Sequence, residues 1–341
     1  MSTGYRFVYT DPMWAVGESG DVEPRLADLE RHIFGPDVTL DLGLHRGAAF
    51  VREGRDFLEH VRGADALVIY RTQVTEELMD ALSPTCKIVA RQGVGFDNLN
   101  VPLLKRRGVF GFNVSDYCVD EVSTHTLAMV LALERRLCAQ NDALKRGTWD
   151  IFFGGYPRRT NDLTFGIVGF GRIGRATARK AQPFYGRVLA HDPYVQRDLM
   201  RGYGVDKQDR LEDLLGACDV IVLHALLHDE TRFMINARSL AAVKPGALLV
   251  NTARGQLVEP EAVLAALTGG RLGGYGADVF SPEDPNAHPS NQQLLRFDNV
   301  VVTSHRAFLS DAAEKSQRTR VAEQVLEVLR TGAPPRFDRI A

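Results

Sequence analysis

The chain is poor in cysteine: four residues in 341, namely Cys86, Cys118, Cys138 and Cys218. They are scattered, and none belongs to a CxxC pair. That excludes a disulfide framework and a cysteine-rich zinc site, and it suits a reducing cytosol. Long apolar runs are also missing, so no segment reads as a bilayer-spanning helix. The first residues, MSTGYRFVYTDPMW, lack a basic region followed by an apolar stretch, so no secretory leader is expected. Neither sign of charge dominates: the formal net charge is -2, and no long block of like charge occurs. Neither nucleic acid nor a membrane surface is therefore an expected partner. HxH and HExxH spacings are absent, which argues against a metal.

What is present is a long alternation of strand-like and helical segments, the pattern of an α/β protein with parallel sheets. The length predicts two domains. The sequence predicts strands at Tyr5–Tyr9, Ala66–Tyr70 and Lys87–Arg91, with helices over Val22–Phe34 and Thr75–Leu82. A single long helix is expected over Asp120–Lys145, with Val122, Leu127, Val130, Leu131, Leu133 and Leu137 on its apolar faces. The most informative stretch is LTFGIVGFGRIGRATARKAQPFYGRVLAHD, Leu163–Asp192. It sets an apolar strand, the turn Gly169-Phe170-Gly171-Arg172-Ile173-Gly174, a helix, a second strand and an acid in the order of a dinucleotide fingerprint. Gly169 allows the tight turn, Gly171 lets backbone approach a pyrophosphate at the helix N-terminus, and Gly174 lets helix and strand pack closely. Asp192 lies 18 residues beyond Gly174, where a carboxylate accepts from both ribose hydroxyls and opposes a 2′-phosphate. NAD is the expected cofactor.

The fingerprint is central in the chain. One α/β unit precedes it, and the amphipathic segment Ala312–Arg330 is expected to return to that unit. The domains expected are 1–118 plus 309–341, for substrate, and 119–308, for NAD. Both are read as Rossmann-like or flavodoxin-like parallel-sheet domains, with the active site in a cleft between them.

Three polar residues follow apolar strands of the nucleotide domain: Arg254 after LLVNTA, Glu283 after YGADVFSP and His305 after VVVTS. A 2-keto acid needs such a set. Its carboxylate is matched by the planar fork of an arginine. Its carbonyl oxygen becomes basic as hydride arrives, and a histidine supplies the proton. A carboxylate beside that histidine fixes its tautomer and favours the imidazolium. The other histidines read as less special: His125 as structural, and His224 as near the cofactor through its backbone.

These motifs, in this order, resemble the NAD-dependent D-2-hydroxyacid dehydrogenases. The match covers about Ala64 to Leu329, including Arg91–Asn98, Gly169–Gly174 with Asp192, Val250–Gly255, Ala277–Phe280 with Glu283, and Thr303–His305. The resemblance implies that Asp278 holds the nicotinamide carboxamide and that Thr126 touches a cofactor phosphate. Thr252 and the turn residues Arg172 and Ile173 are implied cofactor neighbours. Backbone near Val94 and Gly95 would take the substrate carboxylate, and Tyr70, Arg71, Arg91 and Phe308 would add substrate contacts. A homodimer is implied, with the helix at Asp120–Lys145 crossing to the partner. Within the family the nearest resemblance is to the C-terminal-binding-protein branch of corepressors, carried by Tyr70-Arg71-Thr72, Arg91 and His305–Ser310. That branch supplies an alternative function, an NAD(H)-gated binding protein with weak turnover. Ser304, Ser115 and Asp284 stand where the family has prolines, and the sequence predicts looser loops around His305 and Glu283.

Overall fold

The computed structural model describes residues 4–46 and 49–341, which form two compact units. Unit 1 runs up to Tyr117 and includes Ser310–Ala341; unit 2 is Cys118–Leu309.

Unit 1 is built on five parallel strands, β1 (Tyr5–Tyr9), β2 (Val38–Asp41), β3 (Ala66–Ile69), β4 (Ile88–Arg91) and β5 (Phe110–Phe112). Their spatial order is β2-β1-β3-β4-β5, the flavodoxin-like order whose direction reverses between β1 and β3. The short, fully buried runs ALVI and IVAR are what a sheet covered on both faces requires. Helices α1 (Asp28–Phe34) and α13 (Asp311–Thr331) cover one face. Helices α2 (Gly54–Val61), α3 (Glu76–Leu82) and α4 (Val101–Arg107) cover the other. The first helix is shorter than expected. Pro24–Ala27 forms a 3-10 turn with proline in its first positions, and the α-helix begins only at Asp28.

Unit 2 carries seven parallel strands, β6 (Thr164–Val168), β7 (Arg187–His191), β8 (Asp206–Lys207), β9 (Val220–Leu223), β10 (Ala247–Asn251), β11 (Leu272–Ala277) and β12 (Val300–Val302). Their order is β8-β7-β6-β9-β10-β11-β12, so the direction of winding reverses between β6 and β9. Helices α5 (Val119–Glu134), α7 (Arg172–Ala181) and α8 (Arg197–Gly202) pack on one face. Helices α9 (Leu211–Ala217), α10 (Ala237–Ala241), α11 (Pro260–Thr268) and α12 (Pro289–Leu294) pack on the other.

The single helix expected over Asp120–Lys145 is two helices. It breaks after Glu134, where Arg136 adopts a left-handed φ of 55°, and resumes as α6 (Leu137–Lys145). Val122, Leu127, Val130 and Leu133 are buried as the apolar pattern requires, but Leu137 lies beyond the break and is exposed.

Candidate active site

The nucleotide loop follows β6 at the reversal point of the unit 2 sheet, the place where doubly wound sheets bind ligands. Gly169 has φ +93°, and a Cβ there would lie 2.5 Å from the Ala225 nitrogen and 2.6 Å from the His224 carbonyl carbon. His224 therefore meets the loop through its backbone, while its Nε2 lies 2.9 Å from the Thr177 hydroxyl. Burial pushes the His224 imidazole down to about 3, so it stays neutral. A Cβ on Gly174 would lie 2.2 Å from the Gly169 carbonyl oxygen, so helix α7 sits directly on the turn. A Cβ on Gly171, at the helix cap, meets nothing within 4 Å. Glycine there leaves the helix N-terminus, bordered by Arg172 and Ile173, open to a pyrophosphate.

Asp192 stands after β7. Its Oδ2 accepts from the Phe170 amide at 2.8 Å and its Oδ1 from the Tyr194 amide at 2.9 Å. Two amides fix the carboxylate and leave each oxygen a further lone pair for a ribose hydroxyl. Arg197, close by in sequence, is turned to Asp209 at 2.6 Å and to the Lys207 carbonyl at 3.0 Å. The residues present thus fit a bound NAD.

Arg254 lies on the loop after β10. Asn251, fully buried, holds that loop from both sides: its Nδ2 donates to the Arg254 carbonyl at 2.8 Å, and its Oδ1 accepts from the Ala253 amide at 3.1 Å. Gly255 brings this loop against the next one, since a Cβ there would fall 1.9 Å from the Phe280 carbonyl oxygen. Any side chain at 255 would wedge the two apart.

Glu283 and His305 meet across the loops after β11 and β12, with Oε1 2.5 Å from Nδ1. That contact engages Nδ1 and leaves Nε2 to face a reacting oxygen. His305 has φ 55°, a conformation that neighbouring structure must enforce. Asp278, 1% exposed, enforces it. Its carbonyl accepts from the His305 amide at 2.8 Å. Its Oδ1 accepts from the Thr303 hydroxyl at 2.5 Å and the Arg306 amide at 2.9 Å, and its Oδ2 from the Ala307 amide at 3.0 Å. The loop expected to be loose for lack of proline is fastened by a carboxylate instead. Asp284 likewise caps its own turn, accepting from the Asn286 amide at 2.9 Å, and the Ser115 hydroxyl donates to Asp338 at 2.5 Å. The Phe308 ring stands edge-on to the imidazole, with centroids 6.3 Å apart.

Thr126 is fully buried, with its hydroxyl 2.7 Å from the Val122 carbonyl oxygen and 2.7 Å from the Thr252 hydroxyl. The carboxylate of Asp278 is turned to the His305 loop, which gives it a role beyond the one the resemblance implied.

In unit 1 the reversal point between β1 and β3 gathers Tyr70, Arg71 and Arg91. Asp11, 3% exposed, accepts from the amides of Tyr70 at 3.0 Å and Arg71 at 2.7 Å. The Arg71 and Arg91 guanidiniums lie 5.7 Å and 5.1 Å from the Tyr70 ring centroid. Arg91 folds back over Gly93, where a Cβ would be 1.3 Å from its Nη1. The adjoining Val94 carbonyl accepts from the Asn113 amide, and Gly95 follows it. Sequence reading missed Asp11, Asn251 and Thr303. They are short polar side chains at strand ends, and only the sheet register shows what they hold.

A glycine turn at a reversal point with an acid after the second strand, and a His–Glu pair on loops of the same sheet, are the features of a nicotinamide-dependent oxidoreductase. Residues 127–307 match the family described as D-isomer specific 2-hydroxyacid dehydrogenase, NAD binding domain. A glyoxylate reductase of Pyrococcus furiosus is 34% identical over 286 residues, covering 82% of this chain and 83% of its own. A D-3-phosphoglycerate dehydrogenase of Methanocaldococcus jannaschii is 34% identical over 281 residues, and this chain spans about half its length (52%). The structure of a D-lactate dehydrogenase from Aquifex aeolicus, complexed with NAD and lactic acid, superposes with a TM-score of 0.80 at 26% identity, covering 96% of each chain. The chain belongs to the D-isomer specific 2-hydroxyacid dehydrogenase family. These relatives do not support the corepressor branch.

Proposed function

We propose that the protein interconverts a 2-keto acid and a D-2-hydroxy acid with NAD(H). The observation that carries this reading is the 2.5 Å contact of Glu283 with His305 Nδ1, the Glu283 loop being the one that packs against that of Arg254 at Gly255. NADH, when bound, supplies the hydride. Arg254 pairs with the substrate carboxylate and fixes the carbonyl. His305 gives the Nε2 proton to the oxygen as it becomes an alkoxide, so the hydride forms the new C2–H bond, the proton the O–H bond, and the C=O π bond is lost. Glu283 holds the ring and stabilises its charged form. In oxidation the neutral imidazole takes the proton back. Glycine-loop backbone, Asp192 and Thr252 hold the cofactor, and Asp278 reaches its carboxamide from the β11 end.

Tyr70, Arg71, Arg91, Val94, Gly95 and Phe308 are proposed to contact substrate. Two guanidiniums at one tyrosine ring favour a substrate with a second anionic group. The D-lactate and glyoxylate enzymes among the relatives carry the reaction type over to this chain; the corepressor-like alternative draws no support from them. The test is NADH oxidation with a panel of 2-oxo acids, with and without a second carboxylate. Turnover of a diacid well above its monoacid analogue is expected, and no turnover of any member would sink the enzyme reading. Asp192→Ala is expected to weaken NADH binding roughly 10-fold and to narrow the gap to NADPH. Equal binding of both cofactors by the wild type would remove Asp192 from the ribose.

A homodimer is proposed from the exposed apolar side chains of Trp149, Ile151, Phe152 and Tyr156, after α6; sedimentation of the purified protein as a monomer would oppose it. The four free thiols fit the reducing cytoplasm.

A further inference from the structure

Helix α5 sets two consecutive side chains against the two loops that carry Arg254 and His305. The Thr126 hydroxyl lies 2.7 Å from that of Thr252 on the Arg254 loop. One residue earlier, His125 Nε2 lies 3.0 Å from the Thr303 hydroxyl oxygen on the His305 loop. Thr303 has one proton, and it goes to Asp278 Oδ1 at 2.5 Å. Thr303 must therefore accept from His125, which fixes a proton on Nε2. His125 Nε2 is 3.9 Å from the same carboxylate oxygen, too far for a direct bond, so the hydroxyl is the link. The carboxylate at the end of this chain is the one that grips Arg306 and Ala307, on the far side of His305.

We propose that His125 is a positioning residue for the reaction: its Nε2–H, relayed through the Thr303 hydroxyl to Asp278, sets the loop that aims His305. This rests on the reading of His305 as the acid and base. A histidine present only for packing would be replaceable by any side chain of similar bulk. A donor role is stricter. A glutamine amide reaches about where Nε2 sits, whereas an asparagine amide stops near the position of Nδ1.

The test compares wild type with H125A, H125N, H125Q, T303V, T303S, the H125A/T303V double variant and H305A. The readouts are kcat, the NADH dissociation constant and the isotope effect from NADH deuterated at C4. We expect H125A, H125N and T303V to lose roughly 10-fold in kcat, the worth of one hydrogen bond to a charged network. NADH affinity stays within about twofold and the isotope effect rises, because aim affects the chemical step. H125Q and T303S recover most of the loss. The double variant is no slower than the slower single, because both cut one chain. Full activity in H125N and H125A, equal loss in H125Q and H125A, or additive losses in the double variant would each overturn the proposal. Wild-type turnover in H305A would overturn the reading of His305 itself, a failure seen in a separate arm.

Discussion

The loops that carry Arg254 and His305 are held by the same device in two chemical versions. Each is closed by a buried polar side chain at a strand end, Asn251 for one and Asp278 for the other. Asn251 is neutral, both donor and acceptor, and it bonds a carbonyl and an amide two or three residues ahead. Asp278 is an acceptor only, and it gathers two amides and a hydroxyl from a segment 25 to 29 residues away. The amide closes a local turn. The carboxylate ties together strand ends that are distant in sequence, and it holds His305 at a φ that few residues adopt. Arg254 thus sits on a turn that largely folds itself. His305 depends on the assembled sheet.

The comparison breaks most severely at the reacting groups. His305→Ala is expected to lower kcat by roughly 10²–10⁴-fold with little change in NADH affinity; stopped-flow turnover and a fluorescence titration measure the two, and unchanged turnover would remove His305 from the mechanism. Arg254→Lys keeps the charge but loses the fork, so kcat/KM for the keto acid should fall roughly 10²-fold while cofactor affinity holds. A fully active lysine variant would mean that Arg254 acts as a diffuse charge. The clamp itself is sharpened by Asp278→Asn, which turns an amide donor toward a site that needs three acceptor bonds. A roughly 10-fold loss in kcat is expected. A change confined to NADH affinity would leave Asp278 with the carboxamide role alone and remove its part in fastening the loop.

The smallest effect concerns the neutral histidine behind the glycine turn. The ordinary histidine value is 6.5, and burial lowers His224 to about 3. Between those values the unfolded chain binds the extra proton, so His224 costs stability progressively as pH falls from about 6.5. His224→Gln should make Tm fall less steeply over that range in thermal melts. An unchanged slope would show that His224 is already solvated.

The glycine turn, Asp192 and the strands around them were legible in the sequence because their signals are local: apolar runs, glycine spacing and an acid within one βαβ unit. Arg254, Glu283 and His305 stood out in the sequence because each lies within six residues of the end of an apolar strand. The break at Arg136 was not, since Glu134-Arg135-Arg136-Leu137 contains no glycine or proline and every residue there favours a helix. Nor was β8, a two-residue polar edge strand that exists only by pairing with β7. His125 read as an ordinary helix residue because its partner Thr303 lies 178 positions away. The fastening of His305 by Asp278 was hidden for the same reason. The missing prolines were visible, and the carboxylate that replaces their rigidity was not.

The central claim is that hydride passes between the nicotinamide and C2 of a keto acid, with the proton coming from His305. The most direct measurement uses NADH deuterated at C4 and the best 2-oxo acid of the panel, with the product examined by mass spectrometry and chiral chromatography. The account predicts one deuterium at C2 of a D-2-hydroxy acid, with product formation collapsing in His305→Ala. A product without deuterium at C2, or one of L configuration, would contradict it.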